Sequence, residues 1–219
     1  MVIVTETRRF ITFIDNHTRV CWIYLLKEKS KAKRVFKIFH AMIKALFQTQ
    51  IQVLWNDNGK KYFNSILGDY LLENGIIHQS NCFDTPQRNG IVKRKNCHLM
   101  EVAKAIMFTS RVPKSFWGEV VLMASYLINR MLTKILGFES LLNHFSKVYP
   151  HIKIFSSIPL KNFGCTTFVH IHKQHRTELD PRTLKCAFVG YSPTQKGYKC
   201  YDPISRKIFV SMDVTFFEN

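Results

Sequence analysis

The chain has 219 residues, 46% of them hydrophobic and 13% aromatic, which excludes a disordered polymer and allows one or two domains with real cores. Its 32 Lys and Arg against 15 Asp and Glu give a formal charge of +17, which points to a polyanionic partner, nucleic acid ahead of an anionic membrane. The longest apolar run, residues 120–128, is far short of the roughly 20 residues that a spanning helix needs, so no membrane partner is expected.

Glu6, Arg8 and Arg9 break up the first ten residues, which therefore lack the apolar core of a signal peptide. Cys21, Cys82, Cys97, Cys165, Cys186 and Cys200 are scattered, with no CxxC pair. That is a pattern of reduced, mostly buried thiols rather than of a zinc or redox centre. An intracellular protein of the nucleus or cytoplasm is expected.

In chain order, residues 10–14 and 20–26 are β-branched and aromatic runs separated by Asp15, Asn16, His17, Thr18 and Arg19, which predicts a β-hairpin. Over residues 30–47, Val35, Phe36, Phe39, Met42, Ile43 and Leu46 recur at helical spacing, while Lys31, Lys33, Arg34, Lys37 and Lys44 supply charge. This predicts an amphipathic helix with a basic outer side. Residues 51–55 read as a short strand ending in the turn residues Asn56, Asp57, Asn58 and Gly59. Asp57 is thereby placed just past the C-terminal end of a strand, where open α/β sheets bind ligands. A helix over residues 65–74, closed by Gly75, precedes a strand over residues 76–79, and residues 81–90 are loop by composition.

Two further helical stripes follow: Leu99, Met100, Ala103, Ile106 and Met107 within residues 91–108, and Val120, Val121, Ala124, Leu127, Ile128 and Met131 within residues 116–132, with Pro113 between them. Periodicity fades over residues 143–160, where Pro150 and Pro159 punctuate the run, so a linker is expected. Residues 163–171, 186–191, 198–201 and 207–216 are four strand-like segments separated by turns such as Asp180, Pro181 and Asp202, Pro203. They predict a small all-β barrel.

Three stretches occur in order at telling separations: FITFID at residues 10–15 with Thr18, Arg19 and WIYLL at 22–26; VLWNDNG at 53–59 with Tyr62; and TPQRNG at 85–90 followed by KRKN at 93–96. Together they resemble the integrase core of copia-type retrotransposon Pol polyproteins, whose motifs read roughly FIDDYSR, SDNGGEY and TPQQNGVAERKN. The resemblance continues through PKSFWG at 113–118 and YLINR at 126–130. The segments FGC at 163–165, LDPR at 179–182, FVGY at 188–191 and KGY at 196–198 resemble the SH3-like module that follows that core. The resemblance implies an RNase H-like α/β core, with a mixed sheet and flanking helices, over residues 1–142 without its first strand. A linker over residues 143–160 and an SH3-like β-barrel over residues 161–219 complete the expected organisation.

The resemblance also implies a metal-dependent strand-transfer centre in which two Asp and one Glu hold paired Mg²⁺ or Mn²⁺ ions, a chemistry that needs hard anionic oxygens. Asp57 matches the second Asp and is the surviving member of that triad. The Glu position, in the family segment VAERKN, is occupied by Lys93, which lies at the family's spacing of 36 from Asp57. The first Asp belongs to a strand upstream of FITFID and has no match here. Lys61 stands where the second motif is acidic, and Asp84 where Tyr or His precedes the third.

The expected product of this drift is a degenerate integrase fragment that binds no metal, with an Asp57–Lys93 ion pair across a vestigial site. Arg88, Asn89, Lys93, Arg94 and Lys95 occupy positions where the family approaches DNA, which implies residual nonspecific DNA or RNA binding. Two alternatives stay open: an active integrating enzyme completed by an upstream segment, and a protein-interaction module, with a homodimer as a partner state. Asp15, at a strand-to-turn junction, is read as a turn former rather than a ligand. His170, His172 and His175 are read as carrying no metal, and Trp22, Trp55 and Trp117 as core rather than base-stacking residues.

Overall fold

The computed structural model describes residues 7, 9–56, 65–80, 90–151, 158–172, 174, 176–178, 181–193 and 195–218. Its strands and helices run β1 (Arg9–Ile14), β2 (Cys21–Leu26), α1 (Ala32–Phe47), β3 (Val53–Asn56), α2 (Ser65–Glu73), β4 (Ile77–Ser80) and α3 (Gly90–Thr109). They continue with α4 (Trp117–Ile128), β5 (Leu132–Thr133), β6 (Glu139–Ser140), α5 (Leu141–Val148), β7 (Thr166–His170), β8 (Thr183–Tyr191), β9 (Tyr198–Asp202), β10 (Lys207–Ser211) and β11 (Val214–Phe217). Two compact units result. One comprises Thr7–His98 and Leu132–Lys153, and the other is built from Leu99–Met131 and Ile154–Asn219.

The first unit is α/β. β1 and β2 form the predicted hairpin, in register from Arg9↔Leu26 to Ile14↔Cys21. Its turn is held by Asp15, whose Oδ2 accepts from the Thr18 N–H at 2.8 Å and the Thr18 hydroxyl at 2.6 Å. β3 and β4 pair in parallel, Val53↔Ile77 to Asn56↔Ser80, with α2 as the crossover. α2 ends as predicted at Gly75, whose φ of +66° suits a residue without Cβ. The Gly75 N–H donates to Leu72 O at 3.0 Å and the Ile76 N–H to Leu71 O at 2.8 Å, the paired bonds of a Schellman cap. Ile76 and Leu71 then meet in a core with Phe36 and Leu67, against which Phe13, Ile51, Leu54 and Tyr70 pack.

α1 buries Ala32, Phe36, Phe39, His40, Ile43 and Phe47, each large apolar side chain being worth about 2 kcal/mol of burial. Leu46, placed on that face by the sequence pattern, is 46% exposed, and Phe47 takes its place. The reason is aromatic packing: Phe47 meets Trp22 and Phe145 edge-on at 6.3 and 5.3 Å. Phe145 comes from α5, which occupies the start of residues 143–160. The faded periodicity there hid an eight-residue helix, started by Ser140, whose hydroxyl oxygen accepts from the Asn143 N–H at 3.1 Å.

The second unit is a five-stranded antiparallel sheet, order β10-β9-β8-β7-β11, with α4 packed against β8. The segment 207–216 is not one strand. Ser211 Oγ accepts from the Asp213 N–H at 3.0 Å, and the Asp213 carbonyl accepts from the His170 N–H at 3.1 Å, so β10 stops and β11 departs to the opposite edge. Gly190, at φ +130°, sits in the irregular register between β8 and β9. Phe188 and Cys200 are wholly buried at the centre of the sheet. No helix among the described residues is long and apolar enough to cross a membrane.

Candidate nucleic-acid interface

β3 ends at Asn56, whose Oδ1 lies 3.0 Å from His78 Nε2 on the neighbouring strand. Asp57 follows Asn56 directly and lies outside the described residues, as do Lys61, Cys82, Asp84, Arg88 and Asn89. The described part of the site is therefore the start of α3.

α3 opens at Gly90, and its first turn holds no acidic residue. Lys93 and Arg94 are both exposed there, and the Arg94 Nε–H folds back to donate to the Gly90 carbonyl at 2.9 Å. Lys95 differs: it is half-buried, and desolvation holds its pKa below the usual lysine value, with Cys21 opposing and Arg19 adding to the shift. The contiguous basic run in the sequence thus divides, with Lys93 and Arg94 offered to solvent and Lys95 turned toward the hairpin. A helix start carries partial positive charge of its own. Such a turn attracts anions, and ammonium and guanidinium groups have no lone pair for a cation.

The remaining candidates sort clearly. Asp15 spends its carboxylate on the hairpin turn. His170 and His172 meet ring to ring at 5.8 Å, and His175 lies outside the described residues. Cys21, Cys186 and Cys200 are buried, Cys165 is partly so, and Cys97 is exposed. Burial pushes Cys165 and Cys200 up to about 11 and Cys186 to about 12, so these thiols stay protonated and unreactive at neutral pH. Trp22 packs among Phe39, Phe47 and Phe145. Trp55, expected in the core, is 49% exposed. Side chains alternate along β3, so placing Leu54 on the core sends Trp55 to the other face.

Sequence reasoning missed an aromatic assembly in the second unit. Tyr126 of α4 stacks on Tyr191 of β8 at 3.9 Å and 14°, and the Arg130 guanidinium covers Tyr126 at 3.3 Å. The Tyr191 hydroxyl accepts from the Lys161 N–H at 2.9 Å and donates to the Pro159 carbonyl at 3.0 Å. Beside it, Lys199 and Glu119 pair at 2.8 Å. Nothing local links these distant residues, and periodicity alone could not find them.

Comparison with known proteins places the chain. Residues 165–219 match the retroviral polymerase SH3-like domain. The retrovirus-related Pol polyprotein from tobacco (Nicotiana tabacum) transposon TNT 1-94 is 36% identical over 213 residues, which cover 96% of this chain and 15% of that polyprotein. The chain therefore spans about one-seventh of the length of that relative. Among solved structures, a chain of the simian T-cell lymphotropic virus intasome in complex with PP2A regulatory subunit B56 gamma aligns with TM-score 0.52 and 16% identity, covering 97% of this chain and 72% of that one. The HTLV-2 integrase catalytic core domain in complex with magnesium, in its trimeric form, is a weaker likeness, with TM-score 0.46, 12% identity, and 60% and 80% coverage.

Proposed function

We propose that this chain, which is homologous over nearly its whole length to the integrase region of retrovirus-related Pol polyproteins from plant transposons, is a degenerate integrase fragment that binds nucleic acid nonspecifically and performs no strand transfer. In this reading residues 1–142 descend from the catalytic core and residues 161–219 form the SH3-like module. The observation that carries it is Lys93, an exposed cation in the first turn of α3 where the resemblance puts the metal-binding Glu.

Paired divalent ions require several carboxylate oxygens. Lys93 and Arg94 supply none, and the turn that bears them holds no acid, so these residues do not fit Mg²⁺ or Mn²⁺. Asp57 alone would leave most of the metals' charge uncompensated, and an Asp57–Lys93 ion pair is the simpler state of the vestigial site. Titration of Mg²⁺ and Mn²⁺ against the purified chain tests this. No micromolar binding is expected, and binding that Asp57→Asn abolishes would overturn the reading.

Arg88, Asn89, Lys93 and Arg94 are the proposed contacts to DNA or RNA, with Lys95 behind them. A net charge of +17 supports affinity in the nonspecific range, a Kd of roughly 10⁻⁴ to 10⁻⁶ M at physiological salt. Fluorescence anisotropy with labelled duplexes of unrelated sequence should give similar affinities that fall steeply with salt. Salt-independent affinity would contradict it.

A further inference from the structure

The basic outer side of α1 plays no part in that reading, and we infer that it is a second phosphate-binding surface, a stripe that lies along the backbone of a nucleic acid. Residues 27–48 carry seven Lys and Arg against the single acid Glu28, so a net six of the chain's seventeen charges sit in this segment.

At its start the local electrostatics run against the helix that bears them. A helix start favours acids and a side-chain cap, yet α1 has Lys31 at its N-cap position, no capping side chain and no acid in its first turn. Lys33 and Lys37, four residues apart, repel each other, as do Arg34 and Lys37. The helix forms because its other face buries Phe36, Phe39, Ile43 and Phe47. That apolar burial needs no cation, and a local inconsistency that the fold does not require marks a surface kept for binding.

The geometry suits an extended polyanion. At 3.6 residues per turn Lys33, Lys37 and Lys44 fall in one narrow arc beside Arg34, rising about 16 Å along the axis. Arg34, Lys37 and Lys44 are exposed and Lys33 half-exposed. Lys37 Nζ rests 4.5 Å from the centroid of the Tyr70 ring, which steadies its stem. Among the described residues no ion pair neutralises these four. A lipid surface fits poorly, because a helix lying in a membrane needs its apolar face free and that of α1 is in the core.

The inference takes its partner from the nucleic-acid reading above but rests on different residues, and one experiment separates them. Binding of the full chain to a short labelled DNA duplex is measured from low to physiological salt. The variants are K33Q/K37Q/K44Q on α1 and K93Q/R94Q on α3. Each phosphate contact contributes about 0.9 to the slope of log K against log salt, so the α1 variant should lose about 2 to 3 in slope.

An unchanged slope in the α1 variant, with a reduced one in the α3 variant, overturns this inference and leaves the α3 contacts standing; the reverse does the opposite. A variant with all three lysines of α1 changed to Arg should keep the wild-type slope. A fall there as well would mean that packing rather than charge carries the effect, and would overturn the proposal. So would binding to phosphatidylserine vesicles without binding to the duplex.

Discussion

His40 is buried at 3% exposure, its Nδ1 lies 2.9 Å from the Tyr70 hydroxyl, and its ring stacks on Phe36. Burial, and after it the nearby Lys44, hold its pKa below 6.5. As pH falls below 6.5 the unfolded chain takes up a proton that the folded chain refuses, so the stability His40 contributes is present above that value and is lost toward its folded pKa. The urea midpoint should therefore drop from about pH 7 to about pH 5 more steeply than in His40→Phe; equal slopes would contradict this placement. Tyr191 offers a second check. Tyr191→Phe removes a donor to Pro159 and an acceptor for Lys161, and should cost about 1 to 2 kcal/mol, where an unchanged midpoint would mean that these bonds exchange freely with water.

At the scale of elements, α5 and α4 each carry a polar contact that a substitution can remove. Ser140→Ala removes the side-chain N-cap of α5 and should cost about 1 kcal/mol. The Glu119–Lys199 pair joins α4 to β9 with both side chains largely buried, at 15% and 12% exposure. Lys199→Met strands a carboxylate and should cost about 3 kcal/mol, while Glu119→Leu with Lys199→Met should recover most of that loss. A double variant as unstable as the sum of its parts would contradict the pairing.

What the sequence made legible were elements with a signal of their own: the Asp15 turn of the hairpin, the Gly75 cap, and the apolar stripes of α1, α3 and α4. What it hid depended on partners far along the chain. Phe47 rather than Leu46 ends the buried face of α1, where Trp22, Phe145 and Tyr149 meet it. Trp55 faces outward because Leu54 claims the core. The break between β10 and β11 is set by a bond from His170 on another strand. The site divides in the same way: exposed Lys93 and Arg94 could be read from the motif, whereas the inward turn of Lys95 depends on the hairpin it meets.

At the scale of the molecule, the chain joins an α/β unit to a five-stranded sheet, and α1 carries four cations and no acid, the start of α3 three more. The starts of both helices are places where the dipole favours acids, whereas Lys44 lies in the last turn of α1, where a cation is favoured. A charge distribution of this kind supports affinity for phosphates without sequence readout. The function proposed for the chain is accordingly nucleic-acid binding without strand transfer.

The most direct test is a strand-transfer and nicking assay in Mn²⁺, comparing the chain as it stands with a Lys93→Glu variant joined to the upstream integrase segment of a plant-transposon relative. No joined or nicked product is expected from the chain itself, and measurable product only from the repaired protein. Mn²⁺-dependent product from the unaltered chain, abolished by Asp57→Asn, would contradict this expectation.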